Sequence, residues 1–218
     1  MHLLAITPIH LDEDEIARRQ ARYDRLVPAG VTVRLEDLGA GSEIPRALET
    51  AADVSASEAA VHARFADADL AGVDAFLPDC VLDPAVDHPV ALPRPVFGIG
   101  RLCAGFLAGL GGRMGAVARN SAIADELDRK LASYGLAPVL PTAVLDLSVE
   151  DIADDAVWAS AVRRTVDHLP VDHVFNACSA VEVGAPDGGP LLVDPTRVAL
   201  QLVAMRQALA SAEAGGPR

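Results

Sequence analysis

Two stretches govern the reading of this chain: Val73-Asp74-Ala75-Phe76-Leu77-Pro78-Asp79-Cys80 and Val171-Asp172-His173-Val174-Phe175-Asn176-Ala177-Cys178. Each opens on Val-Asp, runs through apolar residues and ends on cysteine. The second follows the first at a constant offset of 98 residues, from 80 to 178. A short apolar run of this kind reads as a strand buried on both faces. The cysteine then lies just past the carboxyl end of an equivalent strand in each copy, where open α/β sheets bind their ligands. Two Val-rich strands also match in part by chance. Free cysteine is among the most buried residue types, so a pair of core thiols is the competing reading.

The pattern on either side alternates strand and helix. Residues 2–7, 31–35, 73–77 and 95–99 read as strands, and 13–27, 55–70 and 101–110 as helices. Within 13–27 the apolar positions Ile16, Tyr23, Leu26 and Val27 mark the inner face, and the charges are assigned outside it. Ser55 with Glu58 three residues on has the form of a capping box. The order then starts again: strand 113–118, helix 121–134 stopped by Gly135, extended 138–144, helix 148–169, strands 171–175 and 191–193, and a final helix 196–209. Strands separated by helices imply parallel sheets with helices on both faces. The expected fold is α/β, with two pseudo-symmetric Rossmann-like lobes and an active site in the cleft between them. Lobe one comprises 1–99 plus 196–218 and carries Cys80; lobe two comprises 100–195 and carries Cys178.

Composition excludes several classes. Hydrophobic residues make up 51% of the 218, too many for a disordered chain. Against 31 acidic residues stand only 18 basic ones, a net charge of −13, and aromatics are 4%. That leaves neither the basic footprint nor the stacking platforms of a nucleic-acid binder. Any site for an anion must therefore be local. No stretch approaches the ~20 apolar residues of a membrane span. No basic segment precedes the apolar start, so a cytoplasmic protein is expected. Three cysteines without close spacing point to reduced thiols, not to a disulfide framework. No His-x-x-x-His or Cys-x-x-Cys supports a metal, and no Gly-x-Gly-x-x-Gly or phosphate loop supports a nucleotide, so no cofactor is expected. A mean hydropathy of +0.27 leaves apolar surface to cover, favouring a homodimer or larger assembly.

Paired thiols at equivalent sites suit one reaction. Inverting a carbon centre without a cofactor means removing a proton from one face and returning one to the other. Two facing groups do this where one base cannot. Cysteine, with a reference pKa near ~8.5, supplies thiolate and thiol at modest tuning cost.

The segment Cys80-Val81-Leu82-Asp83-Pro84 resembles the Cys-x-x-Asp-Pro after the third strand in the hydantoin-type branch of the aspartate/glutamate/hydantoin racemase superfamily. Further segments fit in order: Ile6-Thr7-Pro8, Ile44-Pro45, Leu48-Glu49-Thr50, Val96-Phe97-Gly98-Ile99-Gly100, Gly112-Arg113-Met114-Gly115, Cys178 and Val193-Asp194-Pro195. The resemblance spans nearly the whole chain and rests on order and spacing. It implies two lobes, a site between them, Cys80 and Cys178 as the catalytic pair, no cofactor, and a small amino-acid derivative or hydantoin-like substrate.

The polar anchor departs from that pattern. Relatives carry an Asn-Pro-Asn type turn after the first strand; here stand Thr7-Pro8-Ile9-His10, with Thr7 and His10 as the remaining polar candidates. Arg119 and Asn120 replace a common Thr-Thr pair, and Ser179 follows the second cysteine. With Val81, whose backbone follows Cys80, these are the candidate substrate-binding residues. Asp83 before Pro84 reads as a turn cap. Cys103 reads as a core thiol, and His62, His88 and His168 as surface residues. The altered anchor keeps two alternatives open: a related decarboxylase or cis–trans isomerase, and a non-catalytic small-molecule binding protein.

Overall fold

The computed structural model describes residues 1–136, 138–148, 151–183 and 189–214. Among the described residues, seven strands form two parallel sheets. In the first, β1 (His2–Ile6) lies between β2 (Thr32–Glu36) and β3 (Ala75–Pro78). In the second, β4 (Met114–Ala118) and β6 (His173–Asn176) are central, with β5 (Ala143–Val144) and β7 (Leu191–Val193) at the edges, in the order β5-β4-β6-β7. The orders correspond: β2-β1-β3 matches β5-β4-β6. The counterpart of β7 is a single parallel bridge from Val96 to Phe76. The strand expected at 95–99 is reduced to that bridge, because α3 (Ile99–Leu110) already begins at Ile99.

Strands β1, β3 and β4 read as continuous buried runs because both faces of their sheets are covered there, whereas the edge strand β2 alternates exposed and buried residues. Along β1, Leu3 and Ala5 face one core while Leu4 and Ile6 face another, the period of two that pleating imposes. Each outer face has its own cluster. Val61 and Phe65 of α2 (Ala51–Ala66) cover the first sheet, and Trp158 and Val162 of α5 (Asp155–Val166) cover the second. The inner faces share one continuous core. It joins Leu3, Ala5 and Leu77 of the first sheet to Ala116, Ala118 and Phe175 of the second, through Cys103 and Leu107 of α3 and Leu200 and Val203 of α6 (Pro195–Ala214). Helix α3 follows the first sheet yet packs against β6 and α6, and α6 reaches back to α1 (Glu13–Leu26).

Several boundaries depart from expectation. Helix α2 starts a turn before Ser55. Thr50 caps it in a complete box with Asp53, and the Ser55 hydroxyl donates to Ala51 O instead. Thr-x-x-Asp competes with Ser-x-x-Glu, and the earlier box forms. The extended segment 138–144 pairs only at Ala143–Val144. The helix expected over 148–169 is a short 3-10 turn (Asp151–Ala153) followed by α5; its positions 149 and 150 lie outside the described residues, as do 215–218 of the last segment. Helix α4 (Ser121–Ser133) ends where Gly135 adopts a φ of 72°, as expected of a glycine stop.

Asp83 caps more than a turn. Its fully buried carboxylate accepts from the N–H groups of Gly100 (2.8 Å) and Arg101 (2.6 Å), at the start of α3, and from the Tyr134 hydroxyl (2.9 Å). The chains meet so closely that a Cβ on Gly100 would lie 2.0 Å from Val81 O. This contact fixes the backbone directly after Cys80. Burial pushes the Asp83 carboxyl up to about 6, against the pull of the Gly100 and Arg101 N–H groups. The folded protein therefore holds a proton that the unfolded chain, with a carboxyl near ~3.9, releases. This group's contribution falls as pH rises from about 4 to about 6, by up to roughly 3 kcal/mol. Urea unfolding of the native chain and Asp83→Asn across that range measures it. The stability gap between the two should shift toward the variant as pH rises, and a pH-independent gap would contradict the assignment.

Candidate active site

Each cysteine lies two residues beyond its strand, and the strand ends are built alike. Asp79 N–H extends the first ladder to Ile6 O, and Ala177 N–H extends the second to Val117 O, both at 2.8 Å. Beside Cys80, the N–H of Leu82, two positions on, donates to the sulfur at 3.5 Å. The two loops touch, because the Ser179 hydroxyl donates to Asp79 O at 3.1 Å.

Both cysteines line one cavity of about 610 Å³. Its floor is Asp79–Leu82 and Ala177–Ala180. Its walls come from Pro8–Asp12, from α1, from the segment 46–48, and from Arg119, Ile123 and Ile152. Near the thiols the lining is largely apolar, with Ile9, Leu48, Val81, Leu82 and Ile123. Cys80 is buried and Cys178 half-buried. Cys103 is fully buried in the core and lies outside this cavity.

The charges around the two thiols differ. Burial pushes the Cys80 thiol up to about 12; the Leu82 N–H pulls it back, while Asp79 and Asp83 push further. Burial also raises Cys178, but there the Ala180 N–H, Arg19 and Arg22 pull back against Asp79. Cationic neighbours favour a thiolate, so the arrangement favours ionisation at Cys178 over Cys80.

Those cations come from α1. Arg18 donates to Ala180 O (3.2 Å), and Arg22 donates to Val181 O (2.8 Å) and to Asp194 (3.0 Å). Arg25 pairs with Glu182. One helix face thus holds the loop after Cys178. Arg19 turns to the other loop and donates to Asp79 at 2.9 Å, beside Tyr23, whose hydroxyl donates to the same carboxylate at 2.7 Å. Arg19 and Arg22 are 7% and 4% exposed, so the charges of this helix are not all on its solvent face as the sequence pattern suggested. An exposed arginine and a buried one sit at the same helical spacing. What identifies the buried ones is a partner elsewhere in the chain, and periodicity does not report it.

The sequence-derived candidates divide. His10, Val81, Arg119 and Ser179 line the cavity; Thr7 and Asn120 do not. The fully buried Thr7 hydroxyl donates to Ile9 O (2.8 Å) and accepts from Leu38 N–H (2.9 Å), so it shapes a turn. Asn120 caps α4 and donates to Leu48 O. Arg119, though in the lining, is committed to Glu49 (2.7 Å) and to the carbonyls of Leu48 and Leu147. Asn176 donates to Cys178 O (3.0 Å) and orders that loop. Among the described residues no group of three or more His, Cys, Asp or Glu could hold a metal ion, and no helix is long and apolar enough to cross a membrane.

No family model matches the chain, and no curated protein sequence matches it. Solved structures do. Allantoin racemase from Pseudomonas fluorescens superposes with a TM-score of 0.76 at 14% identity, covering 96% of this chain and 92% of its own. Allantoin racemase from Klebsiella pneumoniae gives 0.74 at 16%, over 96% and 89%. A glycine-to-cysteine mutant of arylmalonate decarboxylase, in a sulfate-associated form, gives 0.57 at 19%, over 100% and 95%. At these identities the likeness is one of fold: the chain has the two-sheet α/β architecture that these enzymes share.

Proposed function

We propose that this chain is a cofactor-independent racemase or epimerase of the aspartate/glutamate/hydantoin racemase type. Its substrate would be a carbon acid beside a carbonyl or carboxylate, of the amino-acid-derivative or hydantoin-like class. The observation that carries the reading is the symmetric pair: two thiols, each two residues past an equivalent strand end, lining one cavity. For one enantiomer, the Cys178 thiolate takes the proton from the carbon and leaves an enolate. The Cys80 thiol then returns a proton to the opposite face. For the other enantiomer the roles exchange.

The fold likeness to arylmalonate decarboxylase supports a second reading, in which one thiol protonates the carbanion left by loss of carbon dioxide. The presence of a second thiol in the same cavity favours inversion. The two separate in deuterium oxide. Single enantiomers of 5-substituted hydantoins should lose optical rotation while gaining one deuterium at the stereocentre, with no carbon dioxide released. Neither inversion nor exchange across hydantoins and N-carbamoyl amino acids would defeat the proposal, and stoichiometric carbon dioxide from an arylmalonate would replace it.

A further inference from the structure

One ionisable pair at the cavity wall, His10 with Asp37 behind it, has no part in the thiol chemistry. His10 lines the cavity, and its ring Nδ1 lies 2.7 Å from Asp37 Oδ2. Asp37 is held firmly. Leu11 N–H donates to Oδ1 at 2.8 Å and Gly39 N–H to Oδ2 at 3.0 Å. Burial works against its charge, yet the Leu11 N–H, the His10 ring and the Gly39 N–H outweigh it and keep the carboxyl below its usual range. The histidine backbone is fixed too, since its N–H donates to Pro45 O at 3.0 Å.

An ionised carboxylate only accepts hydrogen bonds, so the bond to Asp37 places the ring hydrogen on Nδ1. In the neutral imidazole this leaves Nε2 with a lone pair. Nε2 has no hydrogen-bond partner among the described residues. Other acceptors in the lining are engaged: Asp79 by Arg19 and Tyr23, Glu15 by Arg18 and Arg19, and Asp12 by the Glu15 N–H. The Asp37–His10 pair therefore offers an oriented acceptor on a cavity-lining residue, in a lining where the Asp79 and Glu15 carboxylates are taken by arginines and Arg46, a donor, has no partner among the described residues.

We infer that His10, oriented by Asp37, accepts a hydrogen bond from an N–H of the substrate, selecting carbon acids that carry an amide, ureido or imide N–H. The inference deepens the racemase reading and rests on it for the identity of the cavity's occupant. A carbon acid lacking that N–H leaves the Nε2 lone pair desolvated and unpaired, which costs affinity.

The test uses 5-methylhydantoin and its N1-methyl and N3-methyl analogues, with binding by calorimetry and, separately, deuterium exchange at C5. The native chain should bind the parent about 5- to 100-fold more tightly than one of the methylated analogues. His10→Leu should reduce that ratio to near one. Asp37→Ala should reduce it too, because it removes the acceptor that holds the hydrogen on Nδ1. His10→Gln, which keeps an acceptor, should restore part of the preference, and circular dichroism confirms that each variant folds. A native chain that does not discriminate, or a His10→Leu variant that still does, overturns the inference. Discrimination without exchange at C5 upholds the His10 assignment and defeats the racemase reading. Exchange without discrimination does the reverse. No binding of any member of the series overturns both.

Discussion

Cys80→Ser and Cys178→Ser each stop inversion, while each leaves proton exchange on one hand of the substrate only. The expectation follows from the proposed geometry. A carbon held between two thiols loses its proton to one and regains it from the other, so removing one leaves a base with no opposing acid. Inversion should fall by about the 10²–10⁴ that a positioned acid or base supplies. Abstraction on the face still served continues, and the enolate is reprotonated from that same side, washing deuterium into one enantiomer without changing its hand. The two variants should select opposite enantiomers. They should also differ in severity near neutral pH. Burial raises both thiols, but Arg19 and Arg22 offset it at Cys178 while Asp79 and Asp83 add to it at Cys80, so Cys178 ionises the more readily. Cys103→Ser should leave inversion and exchange intact, because that thiol sits in the shared core outside the cavity. Chiral chromatography with mass detection reads both quantities. Full racemisation by either single variant at Cys80 or Cys178 would sink the two-thiol mechanism, and loss of activity in Cys103→Ser alone would move it to the third thiol.

The repeat that made this legible is local. Val-Asp followed by an apolar run and cysteine is read within eight residues, and β3 and β6 lie inside those runs. Parallel topology followed from the alternation of strand and helix. What escaped the sequence depends on distance along the chain. Arg19 meets Asp79 across 60 residues and Arg22 meets Asp194 across 172, and a helical pattern holds no trace of either. The Asp37–His10 pair spans 27 residues and joins two loops of irregular backbone. Thr7 and Asn120 failed as cavity residues for a related reason. Position after a strand places a polar side chain near the active end, but neighbouring backbone groups compete for it, and here they win. Asp83 was legible as a cap, yet its reach to α3 and Tyr134 needed the fold.

Breaking the Arg19–Asp79 pair should be the most destabilising single change near the site. Both side chains are buried, at 9% and 3% exposure, and the pair is not a simple couple: Glu15 accepts from Arg19 at 2.8 Å, and Tyr23 donates to Asp79. Burial opposes the Arg19 charge, and the Asp79 and Glu15 carboxylates beside it sustain it. Arg19→Met fills a similar volume but leaves Asp79 with the Tyr23 hydroxyl alone in a low-dielectric setting. Removing one member of a buried pair costs about 3–5 kcal/mol, a large share of the ~5–15 kcal/mol that holds a typical domain. The double variant Arg19→Met, Asp79→Asn removes both charges and should recover much of the loss, since the penalty is the orphaned carboxylate and not the missing attraction. Urea unfolding of the native chain, both single variants and the double variant closes the cycle. A loss below about 1 kcal/mol for Arg19→Met, or strict additivity in the double variant, would show that the pair carries no such coupling. The same cycle bears on catalysis. Asp79 precedes Cys80, and its carbonyl accepts the Ser179 hydroxyl from the loop after Cys178. A loosened Asp79 therefore frees both thiol loops at once. On the two-thiol proposal, racemisation in Arg19→Met should fall further than in the double variant, in step with stability, because that shared anchor would position both sulfurs about the reacting carbon.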